Sequence, residues 1–339
     1  MNRGDLARVS PLLIGSGAAA LGWRRLQATP SLCNSPEAND LRQAGRILAL
    51  ADIHNNRAVE HVVALLNDAG IEPLIVKGWA VARFYATTYL RPYGDIDLCA
   101  PPRLQSLAKE VLRQHAVPRL GNPEAGDIFL DCGPAATICR IDLHENFSKA
   151  YMPAIETLCE RSTRVEVGAA HARLLSTEDH LRYVITHFLR HGAWRPLWLC
   201  DVAAMVEALP ANFDWTLCLS SERRVAGWIA ATITLAQRLL DCRVSHIPQE
   251  VGCAELPSWF ERTVLREWEA PYAGRLANIP ALQIPRRSKD VVPWLQARWP
   301  NPIRAIVGVG EAFSNAPRLP YQIAHVAAGV RRYVAGLAA

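Results

Sequence analysis

The chain of 339 residues predicts an α/β (α+β) fold: a mixed sheet with flanking helices, followed by a mostly α-helical domain. Two observations predict it. Between residues 41 and 144, helical periodicity alternates with short apolar runs that end in charged residues, in the order helix, strand, helix, strand, helix, strand. From Ser176 onward the pattern is almost wholly helical. The reading divides the chain into an N-terminal helix and loop over 1–40, an α/β core over 41–175 and a helical domain over 176–339.

Residues 1–30 read as a helix and turn, with an amphipathic or buried first helix over Pro11 to Trp23, and Ser31 to Asp40 as a polar loop. Leu41, Ile47, Leu48, Ala51, Val59, Val62, Val63 and Leu66 recur at helical spacing, and Gly70 is suited to capping that helix. Leu74-Ile75-Val76 is a short buried strand that ends at Lys77-Gly78, and Trp79 to Tyr89 reads as a helix. Asp95 to Cys99 is a second strand, stopped by Pro101-Pro102, and Arg103 to His115 is helical. A short strand is expected around Ile128-Phe129-Leu130, and Thr137 to His144 is a third good strand. Val165 to Leu175 resembles a hairpin, and Ser176-Thr177-Glu178-Asp179 is a helix start, with a hydroxyl N-cap and acids in the first turn. Helices are then expected over 180–190, 196–208, 215–219 and 225–240, with Pro-rich breaks near 280–302.

Half of the residues are hydrophobic and 20% are charged, the balance of a globular protein with a real core. The net charge of +5 is mild and unclustered. It suits an anionic ligand such as a nucleotide but does not argue for nucleic acid. The nine cysteines are scattered without CxxC spacing, so they read as reduced thiols of a cytoplasmic protein, not as a disulfide framework or a zinc site. The apolar run at Pro11–Trp23 is too short for a bilayer, which takes ~20 residues, and no membrane association is expected.

The chemistry is carried by Gly94-Asp95-Ile96-Asp97-Leu98. On a strand, Asp95 and Asp97 point to one side while Ile96 and Leu98 enter the core. Two carboxylates held that close repel unless a cation lies between them. Mg²⁺, which favours carboxylate and phosphate oxygens, is the natural occupant. In Arg140-Ile141-Asp142-Leu143-His144, the residues Arg140, Asp142 and His144 share one face. If this strand lies beside that of Asp95, three carboxylates meet, as a two-metal phosphoryl or nucleotidyl transfer requires. Lys77-Gly78, between a strand and a helix, could hold a phosphate by charge and close backbone approach. Each signal alone has a plainer reading: a solvated strand-end pair, an aspartate paired with Arg140 or His144, and an ordinary turn with a surface lysine.

Together these residues resemble a known family. Leu74-Ile75-Val76-Lys77-Gly78, then Arg91-Pro92-Tyr93-Gly94-Asp95-Ile96-Asp97-Leu98, then Ile141-Asp142-Leu143-His144 are similar to the nucleotidyltransferases of the DNA polymerase β superfamily. They are closer still to its bacterial group labelled uncharacterised nucleotidyltransferase. Glu178-Asp179-His180-Leu181 through His187, with Leu197 to Val202, also resembles that group. The resemblance spans about residues 40–210.

It implies a minimal nucleotidyltransferase sheet and an enzyme that moves a nucleoside monophosphate from an NTP such as ATP to a hydroxyl. Two Mg²⁺ ions would be bound by Asp95, Asp97 and Asp142, with Lys77, Gly78 and Arg91 on the nucleotide side. Members often lie beside peptide natural-product genes, so the acceptor classes include a peptide as well as a small molecule. Trp79 stands where the superfamily has Ser or Gly. This keeps open a phosphotransferase on the same scaffold or an inactive nucleotide-binding partner protein.

Other features read as structural. Gly15-Ser16-Gly17 imitates a phosphate turn but has no strand before it. His187 and His191 have the spacing of a zinc pair but no third ligand in view. Glu145 and Asp131 read as surface acids, and the tryptophans as core. The acceptor, the preferred base, the oligomeric state and the roles of His144, His187 and Asp201 are left open by the sequence.

Overall fold

The computed structural model describes residues 2–117, 128–132, 138–147, 151–219, 222–244, 247–248, 251, 255–269 and 299–337. The chain forms two compact units, one of residues 1–183 with 204–218 and one of residues 184–203 with 219–339. The expected strand residue Thr137 and most of the expected Pro-rich breaks near 280–302 lie outside the described residues.

The first unit opens with α1 (Arg3–Ser16), α2 (Ala19–Gln27) and α3 (Pro30–Cys33). An Asn2–Asp5 capping box starts α1, and Gly17, left-handed at φ 84°, ends it. Gly15-Ser16-Gly17 is therefore a helix end. The loop expected over 31–40 contains the end of α3 and a 3₁₀ turn at Pro36–Ala38. The long helix α4 (Asn39–Asp68) serves two cores. Its start packs through Leu41 against Leu6, Ala19, Leu26 and Leu32. Its end packs Val59, Val62, Val63 and Leu66 against Ile75, Ile96, Leu98 and Ile141 of the sheet. Burying each such side chain is worth about 1.5–3 kcal/mol against the exposed state. Between the two cores the stripe surfaces: Ile47, expected inside, is 64% exposed. Gly70, left-handed at φ 74°, follows the helix. The Gly70 and Ile71 amides donate back to the Asn67 and Leu66 carbonyls, as a Schellman end requires.

The strands are β1 (Leu74–Val76), β2 (Asp95–Cys99), β3 (Ile128–Asp131), β4 (Ile138–Leu143), β5 (Thr163–Val167) and β6 (Ala170–Leu174). They form one mixed sheet in the order β3-β4-β2-β1-β6-β5. β2 lies between β1, antiparallel with Val76 opposite Asp97, and β4, parallel with Asp97 opposite Asp142. Being central, β1 is buried throughout and β2 from Ile96 to Cys99. Cys132 and Cys139 are joined as a disulfide across the β3–β4 pair, which corrects the all-reduced reading. The antiparallel register sets Cys139 opposite Leu130, and Cys132, two residues beyond Leu130, falls on the same face.

Helix α5 (Gly78–Ala82) is shorter than the helix expected over 79–89, and a 3₁₀ turn follows at Thr88–Leu90. Phe84, Tyr85, Thr87 and Thr88 are poor helix formers, and the Thr88 hydroxyl is held by Asp52 Oδ2 at 2.6 Å. Helix α6 (Gln105–Gln114) packs Ala108 and Leu112 into the core of the sheet, and α7 (Ile155–Arg161) is unexpected from sequence. Helix α8 (Thr177–Arg190) starts where expected, its Asp179 amide donating to Ser176 Oγ at 3.2 Å. His180 on α8 is fully buried with no partner for Nε2, and burial followed by the Arg91 charge lowers its pKa to about 4.

The second unit is helical. It takes the start of α9 (Pro196–Glu207), while α10 (Trp215–Leu219) falls almost wholly in the first unit. It is built on α11 (Arg223–Leu240), with α12 (Phe260–Glu269), α13 (Pro302–Val309) and α14 (Leu319–Leu337). Trp228 of α11 is fully buried and its indole donates to the Glu311 carbonyl at 2.9 Å. Trp268 and Asn301 donate to the Ala193 and Gly192 carbonyls, which holds two successive left-handed residues in place. No helix among the described residues is long and apolar enough to cross a membrane.

The turn from β1 to α5 carries its positive φ on a lysine: Lys77 has φ 50° and ψ −136°. That conformation costs a side-chain-bearing residue about 1–3 kcal/mol. Gly78 is required for another reason. A Cβ there would lie 3.1 Å from Tyr93 Cβ and 3.4 Å from the Asp95 carbonyl. Both variants lose the ammonium, so Lys77→Gly should be more stable than Lys77→Ala by about 1 kcal/mol in urea denaturation. Equal stabilities would mean that the turn relaxes. The His180 shift predicts a pH dependence as well. From its ordinary 6.5 down to about 4, the unfolded chain binds the proton that the folded one refuses. Stability should therefore fall with pH across that window by up to about 1.4 kcal/mol per unit. His180→Phe should flatten that part of the urea-midpoint profile.

Candidate active site

The sequence of β2 builds the site. Ile96 and Leu98 are drawn into the core, so Asp95 and Asp97 are turned to the opposite face. The parallel partner β4 does the same with Ile141 buried, and the register sets Asp95 beside Arg140 and Asp97 beside Asp142. His144 continues that face one residue beyond β4, its amide donating to the Leu98 carbonyl at 2.8 Å.

Asp97 is the centre. Its carboxylate is only 3% exposed and Oδ1 receives both the Lys77 ammonium and His144 Nε2, the latter at 2.9 Å. His144 Nε2 also lies 3.5 Å from Asp142 Oδ2, which is 40% exposed. Among the described residues, Asp97, Asp142 and His144 form the group of three whose ligand atoms all lie within 4.8 Å of one another. Asp95 sits beside this group but outside it.

The electrostatics separate the two aspartates of β2. Burial alone would raise Asp97, but the His144 hydrogen bond and the Lys77 ammonium outweigh it, and its carboxyl sits below the usual range. Asp95 moves the other way: burial first, then the Asp97 charge, raise it, and Lys77 and Arg140 only partly compensate. The face sets three carboxylates, Asp95, Asp97 and Asp142, beside Lys77 and Arg140, an arrangement that favours an added cation.

The remaining expected residues take different places. Gly78 is packed under Tyr93, and Trp79 is buried, its indole donating to Asn56 Oδ1 at 2.8 Å with Arg83 stacked over it at 5.0 Å. Arg91 is buried, donates to the Pro92 carbonyl at 3.3 Å, and acts by charge on His180 and Tyr93. Glu145 pairs with Lys109 at the surface, and Asp131 is exposed. In the second unit, His187 and His191 pack on each other at 4.5 Å and on Trp198 at 4.6 and 5.2 Å, and Asp201 is buried.

Sequence reasoning missed three positioning residues on α4. Asp52 holds Thr88, Asn55 Nδ2 donates to the Tyr93 carbonyl at 3.1 Å, and Asn56 holds Trp79. This polar run fixes both segments that deliver the site, the β1–α5 turn and the loop before β2. Its signal was the interruption of the α4 apolar stripe by Asp52-Ile53-His54-Asn55-Asn56.

No curated protein matches the chain. A solved structure, the crystal structure of an antigenic nucleotidyltransferase-like protein from Paracoccidioides brasiliensis, is 14% identical with a TM-score of 0.35, over 56% of this chain and 94% of that one. The sequence profile of the family described as uncharacterised nucleotidyltransferase matches residues 5–241, so the chain belongs to that family.

Proposed function

We propose that this protein transfers a nucleoside monophosphate from an NTP to a hydroxyl of a small molecule or peptide, with a divalent cation at Asp97 and Asp142. One observation carries the reading: the parallel β2–β4 register sets the buried Asp97 beside the accessible Asp142, with Lys77 and His144 converging on the same carboxylate. The donors fit a divalent ion, since two carboxylates and an imidazole nitrogen come within bonding reach of a common point. When bound, such an ion would screen the triphosphate and acidify the acceptor hydroxyl.

The chain's own residues do the rest. Asp142, open to solvent on one side, faces the acceptor. Asp95, whose carboxyl is raised by burial and by Asp97, would be stabilised in its charged form by a cation that arrives with the donor. Lys77 is held over Asp97 by the sharp β1–α5 turn, where its ammonium can pass to a phosphate oxygen. Arg91 and Tyr93 keep the loop before β2 in place behind it. Catalysis would rest on positioning and fixed charge, without a covalent intermediate.

A phosphotransferase is the second reading, favoured by one fact: Trp79, where a hydroxyl would bind the phosphate turn, is a core residue. Product mass separates the two. Incubation with Mg²⁺ or Mn²⁺, NTP and a panel of hydroxyl compounds and peptides should release pyrophosphate and add a nucleoside monophosphate. Gain of phosphate alone would favour the second reading. Asp142→Asn should reduce pyrophosphate release by at least about 10²-fold. Its stability should stay within about 0.5 kcal/mol of the parent, because the side chain is 40% exposed. Full activity in both Asp97→Asn and Asp142→Asn would overturn the site.

A further inference from the structure

We propose that His144 is a metal ligand, and that Asp97, Asp142 and His144 Nε2 form a mixed oxygen–nitrogen site that selects an imidazole-accepting first-row ion such as Mn²⁺ over Mg²⁺. The inference rests on the metal-dependent reading above and departs from the Mg²⁺ expected from the sequence.

Position argues first. The period of two along Asp142-Leu143-His144 sends both polar side chains to the face of Asp97, and the ring nitrogen stands between two acids, 2.9 Å from one oxygen and 3.5 Å from the other. One N–H serves one of these oxygens well. A cation at that point serves both, with the nitrogen lone pair as third donor.

Preorganisation argues second. The His144 amide is bound to the Leu98 carbonyl at 2.8 Å and its own carbonyl receives Gln105 Nε2 at 3.1 Å. Its ring lies 5.9 Å from that of Phe147, which is wedged against Tyr183 at 4.8 Å. Backbone and ring are thus both restrained, as a ligand needs and a surface histidine does not.

Chemistry argues third. Asp95, the carboxylate that would make an all-oxygen trio, lies outside the ligand group, and the register gives it Arg140 as neighbour. The third place is left to the imidazole. Mg²⁺ binds oxygen and water and disfavours nitrogen, whereas first-row transition ions accept imidazole readily.

The test uses the full chain without nucleotide. Mn²⁺ is titrated and free ion followed by electron paramagnetic resonance, pulsed measurements look for ¹⁴N coupling from an imidazole, and Mg²⁺ competition gives the affinity ratio. The parent should show the nitrogen coupling and a clear preference for Mn²⁺. His144→Asp, an all-oxygen site, should lose the coupling and reduce the Mn²⁺/Mg²⁺ ratio by about tenfold or more, while Asp142→Asn should weaken both ions together. Absence of coupling in the parent overturns the proposal, as does an unchanged ratio in a folded His144→Asp. If that variant does not fold, parent coupling and its loss in His144→Gln decide. Nitrogen coupling without nucleotide transfer would leave this site standing and sink the reaction. Transfer without coupling does the reverse.

Discussion

A carboxylate that is almost wholly buried is the constraint on which the first unit depends. Asp97 sits in the middle of a six-stranded sheet, between β1 and β4. An uncompensated charge there would cost several kcal/mol. Two features of the fold supply compensation from opposite sides. The end of β1 turns sharply so that Lys77 folds back over its neighbour, and β4 runs one residue past its last ladder position so that His144 reaches the same oxygen. Both partners are placed by their backbones, one by an unusual turn and the other by its amide bond to Leu98 and by ring packing.

The topology explains why such different segments meet. β1 is antiparallel to β2, so its C-terminal end arrives at the N-terminal end of β2, where the aspartates are. β4 is parallel to β2, so Asp142 enters at the same level. A parallel pair requires a crossover, here made by α6 and β3. From the crossover, Gln105 of α6 donates to the His144 carbonyl, while α4 underpins the site through Asp52, Asn55 and Asn56. This long helix is thus more than core: its polar interruption aligns the two loops that carry the charged residues.

The sequence made the strands legible because a charged residue flanked by apolar ones has few other solutions. Asp95-Ile96-Asp97-Leu98 and Ile141-Asp142-Leu143 both read correctly as strands with their acids on one face, and the helix start at Ser176 was visible from its cap. What was hidden depended on partners distant in sequence. The asparagines of α4 look like solvated residues until Trp79 and Tyr93 are placed against them. The helix over 79–89 was overextended because apolar spacing continues where aromatic and β-branched residues, and a hydroxyl bound to Asp52, break it. Lys77-Gly78 misleads in a subtler way: the glycine draws attention as the flexible residue, yet the lysine takes the left-handed backbone and the glycine makes room for Tyr93. The disulfide was invisible because only strand pairing brings Cys132 to Cys139.

Charge balance ties the site to its proposed reaction. Asp95, Asp97 and Asp142 share one face with Lys77 and Arg140, three carboxylates against two fixed cations, and burial followed by the Asp97 charge raises the Asp95 carboxyl. A triphosphate would add further negative charge to the same place, so under the proposed reading it enters with a cation or not at all. The Lys77 ammonium cannot supply that role alone, since Asp97 already claims it. Once a divalent ion takes over the charge of Asp97, the lysine loses its partner while the turn still holds it in position. A phosphate oxygen is then the group that best replaces the carboxylate. The same lysine would stabilise the buried aspartate in the resting protein and bind the donor in the working one, which accounts for a strained residue at this turn better than either task alone.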